Sequence, residues 1–66
     1  MKVDKFKIGH ILVDKDLTAI QLAERTGLSR ATISHIKTGK SCRYETAEKI
    51  AEALGVEVKD FRNYEE

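Results

Sequence analysis

Apolar residues along this chain recur at spacings of three and four. No run of β-branched or aromatic residues alternates with the period of two that marks a half-buried strand. Proline is absent, and glycines fall at the breaks between apolar stripes. The pattern predicts an all-α fold built from short helices. The first spans about residues 5–14. Asp4 is placed to cap it, Val3 and Ile8 to staple its entry, and Ile8, Ile11 and Leu12 to form its buried stripe. Gly9 lies inside that helix, where it costs about 1 kcal/mol relative to Ala.

The second helix has the clearest start. Thr18-Ala19-Ile20-Gln21 reads as a capping box: the Thr18 hydroxyl accepts from the Gln21 amide, and the Gln21 side chain reaches back to the Thr18 amide. Leu17 and Leu22 supply a staple, and Gly27 a left-handed stop. Ser29 caps a third helix, with Leu28 and Ile33 at staple spacing, and Gly39 closes it. A fourth covers about 44–54 and ends at Gly55. Its start is weakly signalled, because neither Cys42 nor Arg43 is a good cap. A last short helix is expected over about 58–63, and residues 64–66 are expected to fray.

Composition sets the scale. Sixty-six residues make one domain, 1–66, with a small core. A chain that is 35% charged and 41% apolar suits a soluble globular protein. No apolar run approaches the ~20 residues of a membrane span, and the first residues lack the apolar block of a secretory signal. Cys42 is the sole cysteine, so there is no internal disulfide and no cysteine cluster for zinc. The reading is a cytoplasmic protein with no cofactor, no metal and no membrane partner.

Net charge is only +1, but its distribution is uneven. Between Glu24 and Glu45 there is no Asp or Glu, while Arg25, Arg30, Lys37, Lys40, Arg43 and His35 all lie there. A cationic, acid-free third of a near-neutral chain points to a polyanion.

The second and third helices are separated only by Thr26-Gly27-Leu28, too little chain for a comfortable antiparallel pair. A crossing near a right angle is expected, as in a helix-turn-helix over 18–38. Leu22, Ala23, Leu28, Ile33 and Ile36 are spaced to meet in the angle between them. The stretch "LTAIQLAERTGLSRATISHIKTGK", followed by "AEKIAEALGVEVKDF", resembles the lambda-repressor-like family of Cro and XRE-type regulators of phages and bacteria. The likeness runs from about Ile8 to Phe61. Four positions depart from the family pattern: Ala19 in place of a phosphate-binding Gln, Leu12 in place of an Arg, Asp16 in place of a glycine, and Cys42 in place of a Pro.

The resemblance implies a compact five-helix domain whose third helix enters the major groove of double-stranded DNA. Read without the family, the third helix turns Ile33 and Ile36 one way and Ala31, Ser34, His35 and Thr38 the other, with Arg30 and Thr32 flanking. Arg reads guanine O6 and N7 in a bidentate contact, and small methyl groups meet thymine. The resemblance carries base contact onto Arg30, Ala31, Thr32 and His35. It carries phosphate contact onto Ser29, Lys37, Thr38, Lys40 and Arg43, and onto the Ala19 amide at the start of the second helix. Each position also has a plainer role. Arg30 and His35 suit a solvated face, Thr32 a cap, and Lys37, Lys40 and Arg43 ordinary surface charge. Cys42 lies between Lys40 and Arg43, a setting that lowers a thiol pKa, although a small half-buried side chain is the plainer reading.

The function expected is a sequence-specific transcriptional regulator, a Cro-like repressor acting on an operator with no small-molecule ligand. A single module of this size buries too little surface for high specificity, so a homodimer on DNA is expected. Val56, Val58, Phe61 and Tyr64 are its candidate interface, and the first three also suit closure of the core. The alternative is a protein-interaction module, such as an antitoxin, on the same fold. An enzyme has little support: His10 and His35 fall on different helices, and no glycine loop for phosphate is present.

Overall fold

The computed structural model describes residues 1–64. Four α-helices follow one another: α1 (Lys5–Asp14), α2 (Ala19–Thr26), α3 (Arg30–Lys37) and α4 (Tyr44–Leu54). Their local signals are used as the sequence predicts. The Asp4 carboxylate accepts from the Phe6 and Lys7 amides at 2.9 and 3.1 Å and starts α1. Thr18 and Gln21 form the capping box of α2, each side chain accepting from the other's amide, at 3.1 and 2.9 Å. Ser29 caps α3 by accepting from the Thr32 amide at 3.1 Å. Arg43 precedes α4 without a side-chain cap, so that helix is held by burial of Ala47, Ile50, Ala51 and Leu54.

The expected fifth helix is a correction. Only Val58–Asp60 is helical, as a single 3-10 turn. The reason lies in where the next backbone groups go. The Phe61 carbonyl accepts from the Asp4 amide at 2.8 Å, and the Asn63 amide donates to the Lys2 carbonyl at 2.9 Å. Val3 and Arg62 form an antiparallel bridge. Groups committed to the N-terminal segment are not available to extend a helix. Tyr64 is exposed; residues 65 and 66, also expected to fray, lie outside the described residues.

The core is one cluster in which Ile8, Leu22, Ile33, Ile50 and Phe61 are completely buried. α2 packs on α3 and α4, and α1 packs on α3. No helix among the described residues is long and apolar enough to cross a membrane.

Candidate nucleic-acid interface

The turn between α2 and α3 is fixed by two side-chain-free or short residues. Gly27 takes φ 74° and donates its amide to the Ala23 carbonyl. The Thr26 hydroxyl donates to the Leu22 carbonyl at 2.8 Å and accepts from the Leu28 amide at 3.2 Å. That hydroxyl bonds back onto the last turn of α2 and ties the residue after Gly27 to it. Sequence reading found the glycine and missed the threonine, although a Thr immediately before a stop glycine is a visible signal.

α3 is pinned from beneath by Ile33 and Ile36, which are 0% and 1% exposed. Arg30, Ala31, Ser34, His35, Lys37 and Thr38 are all exposed. The outer face is therefore small or cationic, as a helix entering a groove requires. Thr32 is half-buried, and its hydroxyl lies 2.9 Å from that of Ser29. The two hydroxyls thus serve the cap, and contact with DNA would share their remaining lone pairs. The Thr38 hydroxyl donates to the His35 carbonyl at 2.8 Å, closing the end of α3.

Electrostatically the face is open. Among the described residues, Arg25, Arg30, Lys37, Lys40 and Arg43 form no ion pair; the salt bridge present joins Lys59 to Glu57, far along the chain. At the start of α2, Thr18 and Gln21 occupy each other, and the Ala19 and Ile20 amides take no acceptor among the described residues. Those amides are the remaining donors for an anion at that helix end.

Lys40 and Arg43 flank a loop that is strapped in place. The Cys42 amide donates to the Met1 carbonyl at 2.9 Å, and the Met1 amino group donates to the Cys42 carbonyl at 2.8 Å. Lys2 bridges Ser41 in antiparallel fashion. Sequence reading missed this strap. Its signal was slight: Met1 half-buried, Lys2 exposed and Val3 buried is an alternation only three residues long. Cys42 is half-buried, which is the plainer of its two readings. Burial pushes its thiol pKa up, and the Met1 ammonium offsets this only partly.

The candidate dimer residues differ in exposure. Phe61 is 0% exposed, so it belongs to the core and offers no contact to a partner. Val56 and Val58 are half-buried against that core and line one hollow with Tyr44. Tyr64 lines a different hollow, beside Lys2 and Lys5.

Comparison with known proteins agrees with the geometry. The family model for the Cro/C1-type helix-turn-helix DNA-binding domain matches residues 7–66. No curated protein sequence matches. Among solved structures, a candidate DNA-binding protein from Bacteroides fragilis is 33% identical with a TM-score of 0.75, covering 96% of this chain and 100% of that one. The transcriptional regulator VanUg, at 23% identity and a TM-score of 0.78, covers 91% of this chain and 80% of its own, a likeness of fold. A mutant of hydroxyethylphosphonate dioxygenase is 27% identical with a TM-score of 0.85 over 100% of this chain, but this chain spans only 14% of that enzyme. With the match to the family model running over nearly its whole length, the chain belongs to the Cro/C1-type helix-turn-helix DNA-binding family.

Proposed function

We propose that this protein is a sequence-specific regulator of transcription, a Cro-like repressor that inserts α3 into the major groove of its operator. The observation that carries the reading is the outer face of α3: exposed Arg30, Ala31 and His35 on a helix anchored by Ile33 and Ile36, with no carboxylate paired to any cation of that face among the described residues. Arg30 and His35 read base edges, and Ala31 and Thr32 meet the floor of the groove. Lys37, Lys40 and Arg43 hold phosphates on one side, with Ser29, Thr38 and the Ala19 amide supporting. The protein acts in the cytoplasm, on the nucleoid, and needs no small-molecule ligand. Two copies bind a two-fold site, meeting through Val56 and Val58. Selection of bound sequences from a random duplex pool tests this. A palindromic motif supports both base reading and the dimer, a single half-site supports base reading by a monomer, and recovery of no motif at low salt defeats the proposal.

A second reading is favoured by one observation. The likeness to hydroxyethylphosphonate dioxygenase covers all of this chain at 27% identity, so the fold also occurs as a minor part of an enzyme. On that reading the domain is a protein-interaction module. It predicts DNA affinity that is weak and indifferent to changes at Arg30 and Lys40.

A further inference from the structure

We propose that Lys2 and Lys5 form a second phosphate-holding edge, continuous with the loop after α3, so that the protein grips the DNA backbone from its N-terminal segment as well as from the helix-turn-helix. The proposal rests on the DNA-binding reading above and extends it to residues outside the acid-free stretch.

Three observations bring these lysines to the interface. First, Lys5 packs on the end of α3: a Cβ on Gly39 would lie 3.3 Å from the Lys5 Cβ. The lysine stem therefore starts beside the residue that precedes Lys40. Second, the bridge between Lys2 and Ser41 sets Lys2 against the loop that carries Lys40 and Arg43. Four cations thus stand around one short loop. Third, a hollow of about 650 Å³ opens between the N-terminal segment and Thr38-Gly39. Lys2, Lys5, Lys7 and Arg62 line it, and among the described residues Asp4 is its one carboxylate. That carboxylate is engaged by the Phe6 and Lys7 amides.

The chemistry of the edge fits a phosphodiester strand. Lys2 and Lys5 are exposed and form no ion pair among the described residues. The Lys5 ammonium rests 5.2 Å from the centroid of the Phe6 ring, an exposed cation–π contact that a phosphate readily outcompetes. Glu48, Glu52 and Glu57 line a separate hollow on α4. An edge that continues a basic loop, and lies apart from that acidic hollow, matches the path of a strand leaving the groove. An acidic protein patch has no reason to follow the loop of α3.

The test is the salt dependence of duplex binding. Each phosphate contact contributes about 0.9 to the slope of log affinity against log salt. A Lys2→Ala/Lys5→Ala double variant is expected to lower the slope by about 1.8 and to weaken specific and random duplexes alike. Lys5→Glu, which keeps a helix-favouring residue at the start of α1, is expected to weaken binding more than Lys5→Ala. Lys49→Ala, which removes an exposed cation on α4, controls for net charge, and melting curves control for folding. If the double variant behaves like Lys49→Ala while Lys40→Ala lowers the slope, the N-terminal edge is refuted and the helix-turn-helix reading stands. If the unaltered protein shows no salt-dependent binding, both fall together.

Discussion

Gly39 stands against Lys5 so closely that a Cβ on the glycine would lie 3.3 Å from the Lys5 Cβ and 3.3 Å from the Val3 carbonyl oxygen. Its φ is also 83°, a conformation that side chains resist. Gly27 shares the second property, with φ 74°, but not the first, because nothing lies within 4 Å of its absent Cβ. The two glycines therefore separate backbone strain from crowding. Gly27→Ala is expected to cost about 1 kcal/mol, the strain alone. Gly39→Ala is expected to cost about 2 kcal/mol or more, since the N-terminal strap must also give way. Urea denaturation of both variants measures the order, and a smaller loss at Gly39 than at Gly27 would contradict the account.

Gly9 and Asp16 run the other way, as residues the fold tolerates without using. A Cβ at Gly9 would meet nothing within 4 Å, so the glycine weakens α1 with no packing return. Gly9→Ala is expected to stabilise the protein by about 0.5–1 kcal/mol. Asp16 takes φ 55°, a left-handed conformation that Asp accepts better than most residues but that Gly accepts freely. Asp16→Gly is expected to raise the melting temperature slightly and Asp16→Val to lower it. No change with Val would mean that the turn relaxes out of the left-handed region.

The contrast between these positions explains what the sequence disclosed. Caps and stops are local: Asp4, Thr18 with Gln21, Ser29, Gly27 and Gly55 each act within a few residues, so α1 to α4 were legible. The departure from glycine at Asp16 was legible too, and the structure supplies its meaning as a positive φ. The end of the chain was not legible in the same way. Val58, Phe61 and the residues between have helical spacing, but pairing with Lys2, Val3 and Asp4, nearly the full chain length away, decides their backbone. The same non-local strap explains why Lys2 and Lys5 escaped notice, since only folding brings them beside Gly39 and Ser41. On α3, spacing separated buried Ile33 and Ile36 from exposed Arg30 and His35. The plainer role read for Thr32, in the cap of α3, is the one its hydroxyl takes beside Ser29.

Cys42 gives a pH prediction with a definite sign. Burial raises its thiol pKa above the ordinary 9.0, with the Met1 ammonium opposing. Well below pH 9.0 the thiol is protonated in both folded and unfolded chains, and the shift has no effect on stability. As pH rises through 9.0 the unfolded chain loses its proton first, so stability falls until the folded thiol also ionises. Cys42→Ala is expected to remove this part of the loss as pH rises through 9.0. At pH 8 the thiol is expected to alkylate more slowly than a free cysteine. Reaction as fast as that of free cysteine would show that the strap opens readily.

The two kinds of contact assigned to the DNA face have different signatures. Arg30 stands at the first position of α3, exposed and in no ion pair among the described residues. If it holds a guanine through two hydrogen bonds, Arg30→Ala should lose about 1–3 kcal/mol of discrimination at that base pair, while affinity for random duplex changes less. Lys40 follows the end of α3, its amide bonded to the His35 carbonyl at 3.1 Å, and its charge carries no base information. Lys40→Ala should therefore weaken all duplexes by a similar factor and reduce the salt slope by about 0.9. Selected motifs compared between Arg30→Ala and the parent, alongside salt titrations of Lys40→Ala, separate the roles. A motif unchanged by Arg30→Ala would move base reading to Ala31 and His35. A Lys40 variant that altered the motif without altering the slope would exchange the roles given to these two residues.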